Sequence, residues 1–191
     1  MLDLELTDPI VKVKAYKRKS GLRGPGGADD MQTPGYAIDY LLPFIRKGST
    51  IWDPACGKGN LVRAFRAAGF ETEGTDILGG YDFLTDTFPW IDNPMIVTNP
   101  PYSIKDEWIE TCYGHGCSFA LLMPLTALEG QRRQACYREH GLQLMVLPKR
   151  INFETPSGKD GGSWFPTAWF TYGLNLPCDL YFAPALDKPD S

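Results

Sequence analysis

Thr50-Ile51-Trp52-Asp53-Pro54-Ala55-Cys56-Gly57-Lys58-Gly59-Asn60 sets the fold of this chain. Its first three residues are a short buried-strand candidate that runs straight into a glycine-bearing turn. Leu61, Val62, Phe65 and Ala68 then recur at helical spacing until Gly69 closes the helix. Strand, glycine turn, helix is the unit that binds nucleotides in doubly wound α/β folds. Glycine has no side chain in the way, so the backbone can approach a ligand closely. Roughly twenty residues further on, Phe70 to Thr75 forms a second strand candidate. It ends at Asp76, where an acid is placed to accept hydrogen bonds from ribose hydroxyls. A dinucleotide is disfavoured. Val62 stands where the third glycine of Gly-x-Gly-x-x-Gly belongs, and Asp53 at the strand end repels a pyrophosphate. The same acid suits a cofactor with a cationic amino acid part. No Gly-x-x-x-x-Gly-Lys-Ser/Thr run occurs, so Lys58 is not a phosphate-loop lysine.

A second loop carries the chemistry. Met95-Ile96-Val97-Thr98 is an apolar strand candidate, followed by Asn99-Pro100-Pro101-Tyr102 and an amphipathic helix from Ile104 to Cys112. The loop after a strand's carboxyl end is where open α/β sheets bind ligands. An amide, two consecutive prolines that fix the backbone, and an aromatic ring together could grip a planar base bearing an amino group. An ordinary strand-to-helix turn would read the same way on the tetrapeptide alone.

Around these two loops the chain alternates strands and helices. Thr33-Pro34 reads as a helix start, with Thr33 as N-cap and Pro34 at the first helical position. Tyr36, Ile38, Leu41, Leu42 and Ile45 give its apolar face, and Pro43 is placed to kink it. Residues 118–123 form an apolar strand stopped by Pro124, residues 128–140 a mostly polar helix, and residues 142–147 a further strand. Residues 155–162 read as a mobile loop, Trp164 to Tyr172 as an aromatic strand, and Leu180 to Phe182 as a last short strand. Such alternation predicts one mostly parallel sheet flanked by helices.

The 191 residues are 43% hydrophobic and 22% charged, the profile of one globular domain with a sizeable core. With no twenty-residue apolar span and no signal sequence, the expectation is a cytosolic protein away from membranes. Five cysteines then read as free thiols. The net charge of −4 excludes a generic polyanion binder. Lys12, Lys14, Lys17, Arg18, Lys19 and Arg23 nevertheless crowd residues 1–30, a basic arm of a kind that contacts phosphates or simply stays solvated. Residues 31–191 make the single domain. Cys112-x-x-His115-x-Cys117 with Cys136-x-x-x-His140 matches no standard zinc spacing, and no metal is expected.

Taken together, the two loops resemble those of S-adenosylmethionine-dependent amino-methyltransferases of DNA, particularly the adenine-N6 group of phage and bacterial restriction-modification origin. Residues 53–60 are similar to that family's cofactor motif, and Asn99-Pro100-Pro101-Tyr102 to its catalytic tetrapeptide. Thr33-Pro34 resembles a further cofactor motif that lies upstream of both in one circular arrangement. Arg150-Ile151-x-Phe153 and the Trp164 to Tyr172 strand resemble later segments.

The resemblance implies a Rossmann-like methyltransferase fold, a seven-stranded and mostly parallel sheet with helices on both faces and an antiparallel hairpin of its last strands. It implies S-adenosyl-L-methionine as cofactor. Asp53 and the backbone from Gly57 to Gly59 would hold the methionine part, with Pro54, Ala55, Cys56 and Asn60 of the same turn also against the cofactor. Asp76 would hold the ribose, and Asp82 and Phe83 the adenine, while Thr33, Pro34, Ile77 and Asn99 line the same pocket.

The partner implied is DNA, with its adenine flipped out or single-stranded. RNA amines, a protein glutamine amide, or a non-catalytic binding role remain alternatives. Tyr102 would stack on the base, with Trp164, Phe165 and Trp169 available as the opposite wall and Lys14, Lys17, Arg18 and Lys19 on the backbone. For Trp164, Phe165, Trp169 and Phe170 the competing reading is core packing, expected for about half of them. No sizeable target-recognition segment is present, so relaxed or short specificity is expected, with a homodimer possible.

Overall fold

The apolar runs become seven strands of one sheet in the computed structural model of the chain, which describes residues 31–86, 91–154 and 165–186. They are β1 (Ile51–Asp53), β2 (Thr72–Gly74), β3 (Met95–Thr98), β4 (Phe119–Pro124), β5 (Gln143–Val146), β6 (Thr167–Tyr172) and β7 (Leu180–Phe182). Their order across the sheet is β2-β1-β3-β4-β6-β5-β7. Six strands share one direction, and β6 alone runs antiparallel, to β4 on one side and β5 on the other. The sheet is therefore mixed.

Side chains alternate across each strand and so build two cores. Ile51, Met95, Val97, Ala120, Leu122, Met145 and Trp169 face one side, where helix α1 (Asn60–Ala67) lays down Leu61 and Phe65. Trp52, Ile96, Phe119, Leu121, Met123, Leu144 and Phe170 face the other. There helix α2 (Lys105–His115) contributes Trp108, Ile109, Cys112 and Tyr113. Covered on both faces, β4 buries all six of its residues, as a central strand with a continuous apolar run must. Helix α3 (Gln131–His140) has no fully buried residue. It is held by its half-buried Cys136 and Tyr137 and by Arg132, which pairs with Glu110 of α2 at 2.6 Å. Gly116, left-handed at φ 69°, stops α2 where the sequence turns back into β4.

One expectation fails for a local reason. The helix expected from Thr33 is a pair of short 3-10 turns, Gly35–Ile38 and Leu42–Phe44. Thr33 makes no capping bond; Pro34 is the extended cap residue, and Pro43 enters the second turn without a donor to continue a helix. Ala37, Ile38, Leu41 and Ile45 still reach the α1-side core, so the apolar pattern survives the change of helix type.

The expected antiparallel hairpin of late strands is formed by β5 and β6, while the final strand, β7, stands outside it, passing to the far side of β5 and joining it in parallel. The Gln143 side chain explains the detour. Its oxygen accepts from the Leu176 N–H at 2.8 Å and its amide donates to the Leu176 carbonyl at 3.2 Å, leading the connection past the end of β5.

The basic arm, including Lys14, Lys17, Arg18 and Lys19, lies outside the described residues, as do the loop at 155–162 and Trp164. Among the described residues no helix is long and apolar enough to cross a membrane.

Candidate active site

From β1 the chain winds outward to β2 on one side, then returns to place β3 on the other. That reversal is the switch point at which open sheets leave a crevice outside their carboxyl ends. Asp53 ends β1 and Asn99 follows β3, so the two loops singled out by sequence flank this crevice.

On the β1 side the turn is sewn to the chain after β2. The Thr75 N–H donates to the Asp53 carbonyl and the Cys56 N–H to the Thr75 carbonyl, each at 3.0 Å. Asp76 completes the seam: one carboxylate oxygen accepts from the Gly57 N–H and the other from the Leu78 N–H, both at 2.9 Å. Beside it lies an open cleft of about 490 Å³, lined by Cys56, Gly57, Asp76, Leu78 and Tyr81 among others. The volume falls in the range of small-molecule cofactor sites. Leu78 is 81% exposed, an apolar side chain standing at the cleft with nothing of the described chain over it.

Asp53 is only 2% exposed, and the Ala55 N–H donates to it at 3.3 Å. Burial pushes its carboxyl up to about 7; the Thr98 hydroxyl and the Ala55 N–H lower it again in part. A carboxyl so poised is ready to ionise against a cation and is a poor neighbour for an anion. The Cys56 thiol is pushed up to about 11, by burial first and then by Asp53 and Asp76, and stays protonated.

On the β3 side Pro100 is buried, Pro101 is extended at φ −62° and ψ 120°, and Tyr102 opens a 3-10 turn, Tyr102–Ile104, leading into α2. The Asn99 amide nitrogen donates to the Met31 carbonyl at 3.4 Å. Its side-chain oxygen is shielded from solvent and has no hydrogen-bond partner among the described residues. The Thr33 hydroxyl is buried without a partner in the same way. Tyr102 meets Phe165 edge to face, with ring centroids 5.7 Å apart.

Several expected site residues lie elsewhere. Trp169 is fully buried on the α1 side, its indole N–H donating to the Ala37 carbonyl at 3.2 Å, so it cannot form a wall for a base. Phe170 is equally buried on the other face. Phe83 stacks on Trp108 at 4.2 Å and meets Trp52 at 5.4 Å. Only 3% exposed, it offers no open ring face to an adenine; it joins the α2-side core instead. Asp82 accepts from the Leu84 N–H at 3.1 Å and so shapes the turn after the cleft. Pro54, Ala55, Gly59, Asn60 and Ile77 shape the two turns, while Thr33 and Pro34 lead into the first 3-10 turn. Among the described residues no group of three His, Cys, Asp or Glu is placed to hold a metal ion.

Gln32, Leu78 and Tyr81 are site residues that no sequence motif marks. Gln32 reaches Lys58 from 26 positions away, a contact with no local signal. The glycine pair Gly79-Gly80 after Asp76 is the local signal that could have pointed to this turn.

Switch-point crevice, glycine turn and strand order define a Rossmann-like α/β fold. No protein-family model and no curated protein matches the chain. Among solved structures it matches one from Listeria monocytogenes, described as a candidate class I S-adenosylmethionine-dependent methyltransferase. The TM-score is 0.54 at 15% identity, over 86% of this chain and 68% of that one. At that identity the likeness is one of fold.

Proposed function

We propose that the chain is an S-adenosylmethionine-dependent methyltransferase acting on the exocyclic N6 amine of adenine in DNA. The observation that carries this reading is the Asn99 side-chain oxygen, a buried acceptor with no donor among the described residues, in the loop after β3 at the switch-point crevice. Turning the amide over would aim its oxygen at the Met31 carbonyl, so the arrangement fixes which atom faces away.

The described residues fit the cofactor. Asp53, buried and poised to ionise, suits an ammonium group, while Asp76 at the cleft can accept from ribose hydroxyls alongside its two backbone donors. When bound, S-adenosylmethionine supplies a methyl group made electrophilic by its sulfonium.

An aromatic amine is a poor nucleophile, because its lone pair is delocalised into the ring. Asn99 Oδ1 and the Pro100 carbonyl would accept its two hydrogens and draw the nitrogen toward tetrahedral geometry. Pro100 and Pro101 hold that carbonyl in one direction, and fixed acceptors need no reorganisation as charge develops. Tyr102 would stack on the extruded base, backed at its edge by Phe165.

The test is incubation with labelled cofactor and DNA, RNA or protein, followed by mapping of methylated positions. N6-methyladenine in DNA, lost in Asn99→Ala and Tyr102→Ala, is the expected result. Label in RNA or protein alone would move the substrate to another amine. Activity surviving both substitutions would sink the mechanism.

A further inference from the structure

The turn Gly57-Lys58-Gly59 presents three backbone N–H groups, and each already has an acceptor. Gly57 donates to Asp76 at 2.9 Å, Gly59 to the Cys56 carbonyl at 2.7 Å, and Lys58 to the Gln32 side-chain oxygen at 2.8 Å. The first two acceptors belong to the frame of the fold, since Asp76 also holds Leu78 and the Cys56 carbonyl closes the turn itself.

Gln32 is different in kind. Its backbone is pinned by a two-way bridge to Glu154, at 3.0 and 2.9 Å, so its side chain can swing away while the strap stays in place. The amide also fills the space that Gly57 clears. A Cβ on Gly57 would lie 2.7 Å from both its oxygen and its nitrogen. A planar group with two heteroatoms, one of them accepting from Lys58, has the outline of a carboxylate.

We propose that Gln32 is an internal stand-in for a ligand carboxylate. The carboxylate of an amino acid moiety binds at the Lys58 N–H and displaces the Gln32 amide to do so. This rests on reading the site as one for S-adenosylmethionine, whose ammonium group has Asp53 on the same turn as its counterpart. Gln32 then lowers affinity for ligands carrying the amino acid part and leaves ligands without it untouched.

Calorimetric binding of S-adenosylhomocysteine and of 5′-methylthioadenosine, which lacks the amino acid part, separates the outcomes. Gln32→Ala removes one competing hydrogen bond and is expected to bind S-adenosylhomocysteine about three- to tenfold tighter. Gln32→Glu places a charged acceptor on Lys58 and repels the incoming carboxylate, so its affinity for S-adenosylhomocysteine falls. Methylthioadenosine binding is unchanged in both variants. Equal or weaker binding of S-adenosylhomocysteine by Gln32→Ala overturns the proposal. Loss of both ligands by that variant does so too, since it makes Gln32 a structural prop. Wild-type protein that binds neither ligand overturns the cofactor reading and this inference with it.

Discussion

The Gly57 N–H and the Asp76 carboxylate meet at 2.9 Å, so the turn after β1 and the acid after β2 are one unit. Asp76→Ala strips acceptors from both Gly57 and Leu78, two groups that water can partly serve. The expected loss is about 1 kcal/mol of stability, or roughly 2–4 °C in Tm. Cofactor affinity should fall further than stability, because the cleft loses its acid. Asp76→Asn keeps an acceptor and should retain more of both. Thermal melts paired with calorimetry check this.

Asp53 sets a pH dependence of two opposite signs. Its folded carboxyl sits at about 7 against an ordinary 3.8, so the folded protein binds the proton more tightly than the unfolded chain. Stability contributed by Asp53 is greatest at low pH and falls as pH rises through this window. Asp53→Asn should therefore raise Tm relative to wild type more at about pH 8 than at about pH 5. If Asp53 meets the cofactor's ammonium group as proposed, binding needs the ionised form, so wild-type affinity should climb with pH and level off above 7. Asp53→Asn should bind weakly at every pH.

Asn99→Ala should separate chemistry from folding. The residue's one described hydrogen bond is long, at 3.4 Å, and its oxygen has no partner among the described residues. Stability should change by less than about 1 kcal/mol. Loss of an acceptor that acts in the transition state should lower kcat by about 10²–10³-fold, with little change in KM for the cofactor. Equal losses in kcat and Tm would count against the assignment.

Two aromatics should behave as opposites. Trp169→Ala opens the core and removes a donor from the Ala37 carbonyl, at a cost of about 3–5 kcal/mol read from denaturant midpoints. Phe165→Ala, at a site 36% exposed, should leave the midpoint nearly unchanged. It should weaken binding of single-stranded DNA by about 1–3 kcal/mol.

Strands and turns were legible where the signal is local. Apolar runs marked β1, β3, β4 and β6, and the glycines bounding α1 and α2 sit at left-handed positions as such residues should. What the sequence could not show is set by distance. Trp169 and Phe165 look alike on paper, but Trp169 lies within β6, whose residues 167–171 are all buried, while Phe165 stands before the strand begins. Phe83 reads as a ligand residue until Trp108, from another element, covers its ring. Gln32 carries no motif because its partner is a backbone N–H 26 residues away.

The position of β6 orders the assembly of the molecule in time. β5 and β7 have no place in the sheet until residues 167–172 insert between β4 and β5. A chain emerging from the ribosome can join β1 to β4 early, but the edge of β4 waits through more than forty residues of synthesis, from 124 to 167. During that interval an all-apolar strand edge is open to pairing with other chains. Slowing translation before β6 should therefore lower the soluble yield more than slowing it afterwards.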